Sequence, residues 1–221
     1  MNRHYPIPRY HPVLLLLCLS AALTANAQNT WQLKKDQDGI RVYSRGNGNS
    51  PCDDLRVETI LTGKLSSLAT LLLDIGNYPE WSFNNEKTYV LKTISPAELY
   101  FYSLIHSPWP ASDRDLAIHL RIRQDSATRD LHVNADEIAD YIPQKKGIVR
   151  VPLSAESWTV SPLTGDRLKV TYELRLDPGA SAPAWLINMF SVKGPYETFL
   201  HLREQLKKEK YRDARMPFIR N

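Results

Sequence analysis

Two cysteines in 221 residues leave this chain with almost no thiol chemistry. Cys18 lies in the N-terminal apolar run, so Cys52 alone belongs to the body of the chain, and one cysteine cannot close an internal disulfide. Also missing are H-x-x-x-H and H-E-x-x-H spacings, a G-x-S-x-G elbow, a P-loop and a G-x-G-x-x-G run. Their absence excludes the common zinc hydrolases, the α/β-hydrolase nucleophile and the usual phosphate-cradling loops. No cofactor and no metal site are expected; His119 and His132 are the one pair that neighbouring strands could bring together, on an outer face. Basic blocks are absent as well. A formal charge of +4 without a basic motif does not describe a nucleic-acid binder.

No apolar run approaches the ~20 residues of a membrane-spanning helix. The run from Val13 to Leu19 follows a basic start, with Arg3 and Arg9, and precedes Ala25-Asn26-Ala27. That order predicts a secretory signal peptide over residues 1–27, cleaved after Ala27, and hence an exported, periplasmic protein. A lipid-anchored form is not expected, because Leu15-Leu16-Leu17 precede Cys18 where small residues belong. Removing Arg3 and Arg9 leaves 26 basic against 24 acidic side chains. The remaining chain, residues 28–221, suits one domain with a sizeable core.

Strands dominate the middle of the chain. Gly39 to Arg45 follows an Asp38-Gly39 turn, and Leu55 to Leu61 alternates apolar and polar residues. A short helix carrying Leu68, Leu71, Leu72 and Ile75 is capped by Ser66 or Ser67 and ends at Gly76-Asn77. Strands over Thr88 to Ile94 and Glu98 to Ile105 flank Ser95-Pro96. Arg114 to Arg123 places Leu116, Ile118, Leu120 and Ile122 on one face; Leu131, Val133 and Ala135 form the face of the next strand. Shorter segments, Ile148 to Val151 and Ala155 to Val160, precede Arg167 to Asp177, whose Leu168, Val170, Tyr172, Leu174 and Leu176 all point one way. An antiparallel sheet with one wet face results.

Ala182 to Tyr211 reads as one long helix of roughly 40 Å. Trp185, Met189, Val192, Tyr196, Phe199, Leu202 and Leu206 make its apolar stripe, and a bend is expected near Gly194-Pro195. A helix of that length needs a broad curved sheet as its counterpart. The class is α+β.

Several stretches resemble one family: Trp31 with Gly39-Ile-Arg-Val-Tyr43, Asp74 with Tyr78-Pro-Glu-Trp81, Pro108-Trp-Pro110 with Arg114-Asp115, and Asp177-Pro-Gly179 before Pro183-Ala-Trp-Leu-Ile-Asn188. In order and spacing they resemble the START domain, the lipid-transfer branch of the helix-grip superfamily, from Trp31 to Lys210. The resemblance implies a curved antiparallel sheet gripping the C-terminal helix, with a tunnel between them for one hydrophobic ligand. It also implies a gate beside the link Gln124 to Thr128, where Arg121, Arg123 and Arg129 would meet anionic headgroups. Transient contact with a membrane surface and a monomeric state go with that picture.

Adjacent strand residues point to opposite faces, so Arg114 and Asp115 cannot readily pair, and Arg114 is expected to satisfy carbonyls or a carboxylate at the sheet end. Trp81, Trp109, Trp158, Tyr172 and Trp185 are each expected in the core. In sterol-binding relatives of the family a buried arginine stands six residues after the arginine of the Arg-Asp pair; here that position is Leu120, and Phe101 lies near the place of its acidic partner. The predicted pocket is lined by Leu116, Ile118, Leu120, Val133, Tyr172, Leu174, Trp185 and Met189, with Tyr172 as its polar handle. It would favour acyl chains or another largely apolar molecule. A noncatalytic carrier is the leading reading because no inward face shows an acid/base pair or an activated nucleophile. The alternative is an enzyme on the same scaffold, aromatase/cyclase-like or hydrolase-like.

Overall fold

The computed structural model describes residues 1, 30–48, 52–179 and 182–221. The expected signal segment, its cleavage site and Cys18 therefore lie outside the described residues. The Gly- and Asn-rich stretch Gly46 to Pro51, which reads as a loop in the sequence, lies partly outside them as well.

Among the described residues ten strands make one sheet: β1 (Gln32–Gln37), β2 (Ile40–Arg45), β3 (Asp54–Thr62), β4 (Asn85–Ser95), β5 (Glu98–Ile105), β6 (Arg114–Gln124), β7 (Leu131–Glu137), β8 (Val149–Arg150), β9 (Leu153–Leu163) and β10 (Arg167–Asp177). Their order is β1-β2-β3-β10-β9-β7-β6-β5-β4, antiparallel throughout, and β8 pairs with β6 in parallel. Alternation explains the faces. On β6, Leu116, Ile118, Leu120 and Ile122 are buried; on β10, so are Leu168, Val170 and Tyr172.

The outer face is mostly wet, but over the start of β6 and the adjacent part of β5 it is covered. There Tyr102, Asp115 and Ala117 are buried on the side away from the helix. The segment between β7 and β9 supplies their partners: Arg150 bridges the carboxylate of Asp115 (2.7 and 3.3 Å) and donates to the carbonyl of Ile142 at 3.1 Å. The stretch Asp140 to Gly147, which reads as a loop in the sequence, lies in the segment that closes part of a face that alternation assigns to water.

Helix α1 (Leu65–Leu73) begins after Lys64 and leads into a 3-10 turn, Ile75–Glu80. Ser66 and Ser67 are not its caps. Both are fully buried inside the first turn, and their hydroxyls donate to the carbonyls of Ala214 (2.9 Å) and Arg212 (3.2 Å), docking the C-terminal segment.

The long helix, α2, runs as Ala184–Asn188, a π-helical turn Met189–Lys193, and Gly194–Leu206. It stops at Leu206, short of the expected Tyr211, and a separate turn α3 (Glu209–Arg212) follows. Pro195 cannot donate to the preceding turn, and the wider π turn stands immediately before it. That turn also shifts the apolar phase. Phe199, Leu202 and Leu206 are buried as the stripe requires, but in the first half Leu186 is buried and Trp185 is 41% exposed. Burying three such side chains stabilises the docked helix by about 1.5–3 kcal/mol each. Gly194 lets the helix approach closely: a Cβ there would stand 3.1 Å from the Phe83 ring.

Candidate functional site

Between the inner face of the sheet and the first half of α2 lies a cavity of about 190 Å³. A single water needs roughly 10–15 Å³ on that measure, so the space exceeds that of one water more than tenfold. Six of the residues predicted for its wall line it: Leu116, Ile118, Leu120, Val133, Tyr172 and Leu174. Trp185 and Met189 do not. The π turn rotates the helix so that Leu186, Ile187 and Phe190 face the cavity in their place. Phe199 closes the floor against Trp158 and Tyr172, with ring centroids 5.1 and 5.6 Å away.

The three arginines expected at a gate are elsewhere. Arg121, Arg123 and Arg129 are exposed and none lines the cavity. Strand parity turns Arg121 and Arg123 outward, where Arg121 pairs with Asp136, and Arg129 donates to the carbonyl of Asn221 at 3.1 Å. The cavity instead reaches the opposite end of β6, at Arg114, near the β5–β6 loop. Trp109 in that loop is 91% exposed, against the expectation of a core position. Trp81 and Trp158 are buried as expected.

Arg114 is buried and has the structural partners its position suggests. Its guanidinium donates to the carbonyls of Ser112 (2.7 Å) and Pro178 (3.3 Å) and to Ser107 Oγ (3.2 Å). No carboxylate among the described residues stands at ion-pair distance, and burial holds its pKa below the ordinary arginine value. Asp115, on the other face, pairs with Arg150 and not with its neighbour.

One group inside the cavity was not foreseen. Glu156 on β9 lies between Ala135 of β7 and Leu174 of β10 and faces inward. Burial pushes its carboxyl up to about 7; a hydrogen bond from the Tyr172 hydroxyl acts in the opposite direction, and Asp136 raises it further. Burial and the neighbouring carboxylate raise Tyr172 well above the ordinary phenol value. The signal was in the sequence. Glu156 shares strand parity with Trp158 and Val160, both apolar and both buried. Two polar atoms of the wall, Trp81 Nε1 and Asn85 Oδ1, have no hydrogen-bond partner among the described residues.

The elevated carboxyl gives a stability prediction. Its folded pKa lies above the unfolded value, so folding binds a proton between the two, and stability falls as pH rises from about 4.5 to about 7. Glu156→Gln should therefore raise the melting temperature by several degrees at pH 8 and by little at pH 4. Equal shifts at both pH values, read by circular dichroism melts, would show that the carboxyl is solvated.

One cluster of metal-ligating side chains among the described residues lies outside this cavity. Glu86, His106 and Asp113 gather near the β5–β6 loop, where His106 Nδ1 stands 3.1 Å from Asp113. His119 and His132 do not meet: the register sets His119 opposite Asp136 and His132 opposite Arg123. His119 instead bonds Glu98 at 2.6 Å and stacks on Tyr100. Cys52 borders the cavity, and burial pushes its thiol up to about 11, which keeps it protonated at neutral pH.

A curved antiparallel sheet closed by a C-terminal helix over an apolar cavity defines a helix-grip protein. The START domain model matches residues 16–212, and the chain belongs to the START domain family, whose members are known for binding and transferring lipids and other hydrophobic ligands. An uncharacterized protein of Pseudomonas aeruginosa is 32% identical over 201 residues, covering 89% of this chain and 98% of its own. The phosphatidylcholine transfer protein of mouse is 26% identical over 174 residues, 74% of this chain and 78% of its own. The crystal structure of a StAR-related lipid transfer protein from Xanthomonas axonopodis superposes with a TM-score of 0.74 at 32% identity, covering 80% of this chain and 99% of that one.

Proposed function

We propose that this protein is an exported, noncatalytic carrier of one apolar molecule, held between the sheet and α2. The carrying observation is the cavity itself: ligand-sized, walled by Leu116, Ile118, Leu120, Val133, Leu174 and aromatic rings, and roofed by the least regular part of the long helix. In this reading Tyr172 and those aliphatic side chains touch the ligand. Entry lies between the β5–β6 loop and the first half of α2, in place of the arginine rim. Trp109 on that loop and Trp185 on that helix are the exposed aromatic side chains there, and such amphipathic rings suit transient contact with a membrane surface. Family membership and the mouse relative's named ligand support a lipid as cargo. Export rests on the N-terminal residues alone, and the carrier is taken as a monomer.

Organic extraction of protein purified from its native envelope, followed by mass spectrometry, tests the reading. Close to one apolar molecule per chain is expected, on a polypeptide whose intact mass lacks residues 1–27. An extract without a stoichiometric apolar molecule would overturn the carrier.

A second reading rests on Glu156 and Tyr172. A carboxyl that burial raises to about 7, with the Tyr172 phenol in the same cavity wall, is a candidate acid/base group. Incubating the extracted molecule with the protein separates the two: an unchanged mass favours the carrier, and a new product the enzyme.

A further inference from the structure

Two carboxylates line the cavity, Asp53 and Glu156. No Lys, Arg or His among the described residues stands at ion-pair distance from Glu156, and Tyr172, two residues before the Leu174 that faces it on β10, lines the same cavity. Arg114 is remote. It bonds the carbonyl of Pro178, just past the end of β10 and four residues from the Leu174 that faces Glu156, a separation of roughly 13 Å at 3.3 Å per residue. Buried carboxylates are ordinarily paired, because an isolated charge in an apolar medium costs several kcal/mol. Glu156 lines the cavity, so a ligand inside it can supply the missing partner.

The surroundings are those that stabilise a cation. Tyr78 and Trp81 pack at a tilt with centroids 4.5 Å apart, and Trp158 and Tyr172 likewise at 4.8 Å; all four line the cavity, and aromatic faces carry the negative end of the ring quadrupole. The titratable groups facing Glu156 are Tyr172 from β10, Tyr78 from the 3-10 turn and, through β7, Asp136; Asp53 and Arg114 lie toward the mouth. Helix α2 adds none, since Leu186, Ile187, Phe190, Ser191, Gly194, Pro195, Thr198 and Phe199 form its share of the wall.

We infer that the cavity selects, among apolar molecules, those bearing a protonated amine, with an N–H donated to Glu156 and the charge held against the Tyr78, Trp158 and Tyr172 rings. This rests on the binding reading above and narrows its ligand class. An aliphatic alcohol would fill the same space but bring no charge to the carboxylate. A fatty acid would set like charges together.

The test uses purified protein stripped of apolar molecules on a hydrophobic resin and loaded with the neutral dye N-phenyl-1-naphthylamine. Displacement is measured with decylamine, decan-1-ol and decanoate, each below its micelle concentration. At pH 8 decylamine should displace the dye at least about tenfold more tightly than decanol, as a charge-assisted bond requires. Decanoate should be weakest. Because the carboxyl titrates near 7 and the amine stays protonated, the decylamine advantage should fall about tenfold between pH 8 and pH 6, following the ionised fraction. Glu156→Gln, which keeps the shape and a partner for Tyr172, should bring decylamine and decanol within about threefold at both pH values. Should that variant fail to fold, the pH arm on the unaltered protein decides alone. Decanol binding as tightly as decylamine, or an amine preference that ignores pH and survives Glu156→Gln, would overturn this inference and leave the carrier standing. Failure of every probe, dye included, would remove both.

Discussion

Arg150→Ala is expected to lower the unfolding free energy by about 3–5 kcal/mol, the range for removing one partner of a buried ion pair. Asp115 has no accessible surface, and Arg150 engages both its oxygens, at 2.7 and 3.3 Å. Alanine would leave the carboxylate buried and uncompensated under the segment that joins β7 to β9. That segment would also lose its anchor, because the same guanidinium donates to the carbonyls of Ala139 and Ile142. For a chain of this size the loss corresponds to a melting-temperature drop on the order of 10 °C. Urea unfolding at pH 7 measures it. A loss under about 1 kcal/mol would mean that water reaches the pair, as at a surface salt bridge. The double variant Asp115→Leu, Arg150→Met should recover much of the stability, since apolar replacement of both partners removes the stranded charge.

Leu120→Glu should abolish uptake of an apolar ligand while Arg121→Ala retains it. Leu120 is 2% exposed and lines the cavity from β6, between Leu99 of β5 and Ala135 of β7. Ala135 in turn faces Glu156, so the new carboxyl would stand roughly 10 Å from the existing one, two strand spacings away. An ionised side chain there costs several kcal/mol beside apolar cargo, enough to reduce uptake at least about a hundredfold. Arg121 sits one residue along, outward, paired with Asp136 on the wet face. Dye uptake by the two variants distinguishes them within one residue of sequence. Normal uptake by Leu120→Glu would place the ligand outside this cavity.

The adjacency of these two positions shows how far alternation carries. Because side chains of a strand point alternately to opposite faces, Leu120 inward and Arg121 outward follow from the pattern of β6 alone, and so do the buried faces of β7 and β10. The same parity applied to β9 yields Glu156, which a search for apolar faces passes over because it asks where leucines go. In the long helix the spacing of Phe199, Leu202 and Leu206 was legible, and the phase of the first half was not. A π turn changes the number of residues per turn, and nothing in a stripe of threes and fours announces one.

The remaining differences arise between segments distant in sequence. Ser66 and Ser67 have the composition of caps, yet their hydroxyls meet the carbonyls of Arg212 and Ala214, about 145 residues later. Arg121, Arg123 and Arg129 cluster in sequence at one strand end, but the cavity reaches the other end. Residue pattern therefore carried the strands, their faces and the class of the fold, because backbone periodicity acts over a few residues. Where the cavity ends, which loop covers Asp115 and which carboxylate has no cation beside it depend on how strands far apart in the chain are laid side by side. No local pattern contains that information, since it is created when the sheet curves and the helix closes it.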